Sequence, residues 1–258
     1  MCQLLGMNCN VPTDITFSFE GFRRRGGQTD QHADGWGIAF FETDGWRVFL
    51  DPLPSATSPV ADFVRSYPIK SRNVIAHIRK ATHGEISLAN THPFRRELWG
   101  QEWVFAHNGN LASFSYAGQR FMSIGNTDSE QALCFILDRL ASKFQRTPEL
   151  AALEETFSEC CQALSSHGTF NCLLGMNDVL LVHCSTDLHY LVRQAPFSIA
   201  HLADADIQVD FAKHTAPRDR VAIIATQPLT DNEQWTALGK GEVALFRNGE
   251  RISPAHAS

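Results

Sequence analysis

Met1-Cys2-Gln3-Leu4-Leu5-Gly6-Met7 begins the chain. The apolar run behind Cys2 predicts a short strand, which would place a thiol on a rigid element rather than on a frayed tail. A small second residue favours removal of the initiator methionine. Cys2 would then carry its nucleophile and a free α-amine on one residue. The amine titrates near ~7.7–8.0 and the thiol near ~8.5 when unperturbed, so at neutral pH the amine can take the thiol proton. By itself the pattern equally describes a buried first-strand cysteine. The partners spaced along the first half of the chain separate the two readings.

Outward from this strand, residues 13–25 read as a helix ending at Gly26-Gly27. Gly35–Phe41 and Trp46–Leu50 are apolar and aromatic runs split by Thr43-Asp44-Gly45, a hairpin signal. Pro59–Ser66 predicts a helix closed before Pro68, and Val74–Ile78 and Trp103–Ala106 predict strands. Asp128–Phe144 carries apolar residues at 133, 136, 137, 140 and 144, a helical spacing, with Thr127 and Glu130 in a capping-box pattern. A second helix runs from Glu149 to Leu164. The chain then returns to strands at Phe170–Leu174, Val179–His183, His189–Arg193, Val221–Ala225 and Val243–Phe246, with Asn248-Gly249 as a last hairpin turn. Strands, two helices, then strands predict one α+β domain over 1–258, with no repeat and no linker.

Composition narrows the function classes. The chain has 258 residues, 43% hydrophobic and 19% charged, as in an ordinary soluble globular protein that buries its core without staples. A formal net charge of −6 argues against nucleic acid or an anionic membrane as partner. The one basic run, Arg23-Arg24-Arg25, reads as a solvated face. Seven cysteines without a C-x-x-C pair, no signal-like leader and no long apolar span predict reduced thiols in the cytoplasm. Cys134, Cys160, Cys161 and Cys172 lie in apolar segments and read as small hydrophobes.

Five segments carry chemistry-bearing residues. His32-Ala33-Asp34-Gly35-Trp36-Gly37 has glycines that permit a tight turn or close backbone approach. In His77-Ile78-Arg79-Lys80-Ala81-Thr82-His83-Gly84, Arg79 ends an apolar strand, where a guanidinium needs a partner and can hold a carboxylate with two parallel hydrogen bonds. Asn90-Thr91-His92-Pro93-Phe94 offers a histidine whose default role is structural. Ala106-His107-Asn108-Gly109-Asn110-Leu111 reads either as a hairpin turn or as an exposed turn aiming the Asn108 amide and the Gly109 N–H at a developing oxyanion. Asn126-Thr127-Asp128-Ser129-Glu130 places Asp128 either as an acid suited to a helix start or as a carboxylate for a substrate ammonium.

Taken in order, these segments resemble the class II glutamine amidotransferase domain of the N-terminal nucleophile hydrolases. The later stretch Ala225-Thr226-Gln227-Pro228-Leu229 looks most like the short stand-alone bacterial members. The resemblance implies a four-layer α/β/β/α sandwich of two antiparallel sheets. It implies that Cys2 attacks the side-chain amide carbon of glutamine, that Asn108 and Gly109 form the oxyanion hole, and that Arg79 and Asp128 hold the α-carboxylate and α-ammonium. Thr82 and His83 would line the same pocket. It implies a thioester intermediate and neither cofactor nor metal. Lys80 stands where many members have an aromatic residue. No synthase domain follows, so ammonia goes either to a separate synthase partner or to solvent.

Three other readings stand beside this one. Another γ-glutamyl amide or peptide would present the same α-carboxylate and α-ammonium. A metal-dependent hydrolase could use His77, His83, His92 and His107, although none has the helical spacing of a zinc motif. A non-catalytic γ-glutamyl-binding module could retain the fold.

Overall fold

The computed structural model describes residues 2–81 and 84–252. In chain order its strands and helices are β1 (Gln3–Asp14), α1 (Thr16–Arg24), β2 (Trp36–Glu42), β3 (Gly45–Asp51), α2 (Pro59–Ser66), β4 (Lys70–Ile78), β5 (Phe94–Leu98) and β6 (Gln101–Asn110). The two longer helices follow, α3 (Asp128–Lys143) and α4 (Leu150–Ser165). The second half gives β7 (Thr169–Met176), β8 (Val179–Cys184), β9 (His189–Gln194), β10 (Ile199–His201), β11 (Gln208–Asp210), β12 (Arg220–Ala225), β13 (Thr236–Ala237), β14 (Glu242–Arg247) and β15 (Glu250–Arg251).

These strands form a seven-stranded sheet, ordered β13-β9-β12-β1-β4-β2-β3, and a six-stranded sheet, ordered β15-β14-β8-β7-β6-β5. All pairings are antiparallel, and β10–β11 is a separate hairpin. Alternation along each strand sorts side chains between two faces. Leu4, Ile75, Val104, Leu173 and Leu180 fill the space between the sheets. Leu5, Met7, Val74 and Ala76 turn to the outer face with Phe19 and Phe22 of α1 and Val64 of α2. Trp103, Phe105 and Leu174 turn to the other outer face, beneath Leu133 and Leu137 of α3 and Phe157 of α4. The result is four layers, helix–sheet–sheet–helix. The sheets come close enough that a Cβ on Gly175 would lie 2.8 Å from the Trp46 ring and 2.9 Å from Ile75. No described helix is long and apolar enough to cross a membrane.

The first helix begins later than residues 13–25 suggest, because β1 continues to Asp14. Its pairing with β4 jumps from Asn8↔Asn73 to Thr13↔Ser71. Pro12 falls within this irregularity, where its missing N–H breaks no ladder bond. The basic run also departs from its expected place. Arg25 is buried, its guanidinium paired with Asp204 at 2.7 Å and donating to the carbonyls of Gln227 and Pro228.

At the start of α3 the Thr127 hydroxyl accepts from the Glu130 N–H at 3.3 Å. Only this half of the capping box forms. The buried Glu130 carboxylate instead accepts from Gly125 N–H at 2.7 Å and pairs with Arg96.

Candidate active site

Cys2 precedes β1, a central strand of its sheet, and is half-buried. Its Sγ accepts the Lys80 backbone N–H at 3.2 Å and lies 3.4 Å from the Lys80 carbonyl. Burial pushes the thiol above its ordinary value, against the opposing pull of the Lys80 hydrogen bond and the Arg79 charge. The thiol is therefore protonated at neutral pH, and a nucleophilic role requires a base.

Arg79 follows directly on β4 and is 3% exposed. Its backbone is tied to the Asp34-Gly35 turn, since Arg79 N–H donates to Gly35 O at 2.8 Å and Asp34 N–H donates to Arg79 O at 3.2 Å. The Asp34 carboxylate accepts Ala81 N–H at 2.7 Å. The guanidinium donates to the carbonyls of Glu85 at 3.0 Å and Gly84 at 3.2 Å. Burial lowers its pKa, with Cys2 and Asp34 acting in the opposite sense, and an arginine remains a cation under that pull.

From Arg79 a hydrogen-bonded path leads to α3. Asn90 Nδ2 donates to Glu85 O at 3.0 Å and to Asn126 Oδ1 at 2.8 Å, and Asn126 N–H donates to Asn90 Oδ1 at 3.0 Å. Asp128, the first residue of α3, accepts Leu111 N–H at 2.7 Å on Oδ2 and Ser129 N–H at 2.8 Å on Oδ1. Its carboxylate thus joins the helix start to the end of β6. Oδ1 also has the Ser129 hydroxyl at 3.4 Å, while Oδ2 keeps a second lone-pair direction.

Asn108 and Gly109 do not form an exposed turn. They lie within β6, opposite Asn171 and Phe170 of β7. A Cβ on Gly109 would sit 1.8 Å from Thr169 O, so only glycine fits against the neighbouring strand. Asn108 is fully buried, and its Nδ2 donates to Thr226 Oγ1 at 3.3 Å. The same oxygen accepts Leu4 N–H at 2.9 Å, so one hydroxyl spans the strand that follows Cys2 and the strand that carries Asn108.

His77, His92 and His107 are buried and pack within the core. His107 Nε2 lies 3.1 Å from Thr169 O, which can only accept, so Nδ1 is left to accept from the Ser129 hydroxyl at 2.8 Å. Burial lowers its pKa. His77 and His92 pack against each other, ring centroids 4.1 Å apart and planes tilted by 44°. Burial brings His77 down to about 3 and holds His92 well below its ordinary value. Neither ring has a hydrogen-bond partner among the described residues. Among the described residues the donor atoms of Cys161, Cys172 and His183 lie within 4.8 Å of one another, a spacing that could hold a metal ion, with Cys161 and Cys172 in the core beneath α3 and α4. Thr82 and His83 lie outside the described residues.

A cleft of about 380 Å³ lies beside the residues flanking Cys2 and Arg79, lined by Gln3, Asp30, His32, Lys80, Asp187, His189, Thr226 and Gln227. Neither this cleft nor the two larger ones, of about 750 and 710 Å³, is lined by a described residue singled out for catalysis or substrate binding; the smaller one is set apart by Gln3 and Lys80, chain neighbours of Cys2 and Arg79, and by Thr226, which bonds Asn108.

The structure therefore joins Cys2 to Arg79 and Asn108 to Asp128 through short bonded paths. Asn90 and Thr226 are members of this network that no sequence signal singles out. Both lie inside quoted stretches, but a polar side chain's partner in another strand leaves no trace in local spacing.

The sequence profile of the class II glutamine amidotransferases matches residues 1–258. A Haemophilus influenzae protein provisionally named a glutamine amidotransferase is 52% identical over 98% of this chain and 86% of its own length. The Escherichia coli protein provisionally named glutamine amidotransferase YafJ is 50% identical over 98% of this chain and 100% of its own. The crystal structure of a predicted glutamine amidotransferase from Pseudomonas aeruginosa superposes with a TM-score of 0.79 at 43% identity, covering 98% of this chain and 100% of that one. A Bacillus subtilis glutamine phosphoribosylpyrophosphate amidotransferase shares the fold, with a TM-score of 0.61 at 14% identity over 97% of this chain and 48% of that one.

Proposed function

From the premise that the chain belongs to the class II glutamine amidotransferases, we propose that it hydrolyses the side-chain amide of glutamine to glutamate and ammonia. The observation that carries this reading is the bonded path from the start of β1, through the Thr226 hydroxyl, to the buried amide of Asn108.

In this mechanism Met1 is removed, and the freed α-amine of Cys2 takes the thiol proton. Sγ attacks the amide carbon, and the carbonyl oxygen gains the negative charge. Asn108 Nδ2–H and Gly109 N–H stabilise that oxygen. The α-ammonium returns the proton to the leaving nitrogen, the C–N bond breaks, and ammonia departs from a γ-glutamyl thioester. Water, deprotonated by the same amine, cleaves the thioester and restores the thiol. Arg79 holds the substrate α-carboxylate and Asp128 the α-ammonium, with Thr82 and His83 lining the pocket. The raised Cys2 pKa agrees with a nucleophile that depends on a base at the moment of attack. Ammonia is passed either to a separate synthase or to solvent, in the cytoplasm.

The test is glutamate release from glutamine by processed protein, whose mass must show Cys2 as the first residue. Cys2→Ala is expected to remove activity to background. A variant that keeps the wild-type rate, or full activity from protein retaining Met1, overturns the mechanism.

One observation favours a second reading. The cleft of about 380 Å³ lined by Lys80 and Thr226 opens beside the residues bonded to Cys2 Sγ and Asn108. A γ-glutamyl amide with a larger leaving group would fill it. Steady-state hydrolysis of glutamine against γ-glutamyl dipeptides separates the two, the higher kcat/KM identifying the substrate.

A further inference from the structure

We propose that Thr226 is a positioning residue for the oxyanion donor Asn108, a role that rests on the glutaminase reading given above. Thr226 follows the last residue of β12 and is 4% exposed. Its own N–H donates to Leu4 O at 3.2 Å, as an antiparallel ladder requires. The reciprocal bond does not go to its carbonyl. Leu4 N–H donates to the Thr226 hydroxyl oxygen at 2.9 Å, while the Thr226 carbonyl accepts from His189 Nδ1 at 3.1 Å. A side-chain oxygen has therefore replaced a main-chain one at the place where the sheet reaches Cys2.

That substitution lets one oxygen serve two sheets. Oγ1 also accepts Asn108 Nδ2 at 3.3 Å, from β6 in the opposite sheet. An asparagine amide rotates in a broad, roughly two-fold torsional well, so its own geometry does not choose which end faces the substrate. Asn108 Oδ1 is buried without a hydrogen-bond partner among the described residues, so it supplies no anchor. The bond to Thr226 fixes the plane of the amide, here with Nδ2 toward Oγ1. It engages one N–H of the amide and leaves the other for the developing oxyanion. The reversed amide would turn lone pairs toward a negative oxygen.

The segment that presents the hydroxyl is itself held. Arg25 donates to Gln227 O at 3.0 Å and Pro228 O at 2.7 Å, and its charge is met by Asp204 at 2.7 Å. Thr226 thus sits between a buried ion pair on one side and the nucleophile strand on the other.

The experiment compares Thr226→Val, which keeps the shape and removes the acceptor, with Thr226→Ser, which keeps the hydroxyl. Loss of an oxyanion donor outright lowers rates by about 10²–10³, and a misdirected donor is expected to lower kcat about 10- to 100-fold with KM changed less than about 2-fold. Ser is expected to restore kcat to within about 3-fold. If Val does not fold, Thr226→Ala, which adds no methyl against the two amides, carries the same expectation. A wild-type kcat in the acceptor-free variant, an effect on KM alone, or equal loss in Ser and Val overturns the proposal. Wild-type protein that does not hydrolyse glutamine would refute the glutaminase reading instead. The positioning is then judged by NMR of the Asn108 side-chain NH₂, which needs no turnover. Faster hydrogen exchange or averaged signals in the acceptor-free variant support it, and unchanged signals overturn it.

Discussion

His77 shows how much burial alone can do to one residue. Its ring is enclosed and packed against His92, and its pKa is brought down to about 3. The folded form therefore binds no proton between the unfolded value near ~6.5 and about 3. Across that window the unfolded chain binds more protons, so stability is full above pH ~6.5 and falls as the pH drops. The slope contributed by one such histidine is at most about 1.4 kcal/mol per pH unit. Urea denaturation at pH 7.5 and 5.5 should show a loss of stability on acidification, and His77→Leu should reduce that loss. An identical loss in the variant would show that His77 is not its source. The residues of the candidate site follow the same physics with different partners. Arg79 retains its charge because carbonyls of Gly84 and Glu85 replace water around it, and a buried cation without such partners would be costly. What spacing revealed was that Arg79 needed a partner. That the partners are main-chain carbonyls belongs to the loop's conformation.

At the scale of elements, β6 is the instructive case. Asn108-Gly109 has the composition of a hairpin turn, yet it continues a strand paired along its length with β7. Local preference for a turn is overridden because His107 and Asn108 are both buried and both hydrogen-bonded by neighbouring elements. Glycine is required here by closeness rather than by a turn. Gly109→Ala would place a methyl 1.8 Å from Thr169 O, so β6 and β7 must part at the site. Overpacking of this kind typically costs about 1–3 kcal/mol. We expect a lowered urea midpoint together with a fall in glutamate release of at least about 10-fold, as for a lost oxyanion donor. An alanine variant with wild-type midpoint and rate would contradict this account. The helices were more legible than the strands. The 3.6-residue spacing and the Thr127 cap located α3 to within a residue at each end, because a helix is stabilised by neighbours along the chain. The length of β1 was not legible, since Pro12 is a local stop signal and only the register jump against β4 accommodates it.

Over the whole molecule, the site is a product of two sheets packed face to face. Cys2 precedes a strand of one sheet and Asn108 belongs to the other, so their separation depends on how closely the layers approach. Gly175 controls part of that approach. Gly175→Ala would press on Trp46 and Ile75 at 2.8 and 2.9 Å, and we expect about 1–3 kcal/mol of destabilisation. If the layers separate, kcat should fall and KM should rise, because Arg79, proposed to hold the α-carboxylate, stays with the Cys2 sheet, while Asp128, proposed to hold the α-ammonium, stays with α3 on the other. Unchanged urea midpoint and kcat would show that the interface yields locally instead.

Sequence alone established the parts: a thiol at the second position, an arginine after a buried strand, an Asn-Gly pair, an acid at a capped helix start, and their order along the chain. Those properties reside in residue identity and short-range spacing, which chain connectivity preserves. Tertiary structure decided their mutual geometry: Thr226 beneath Asn108, Asn90 between the Arg79 loop and α3, and the carbonyl cradle of Arg79. Such contacts join residues from 5 to 222 positions apart: the short ones depend on the conformation of the loop after Arg79, and the long ones on the assembly and packing of the two sheets.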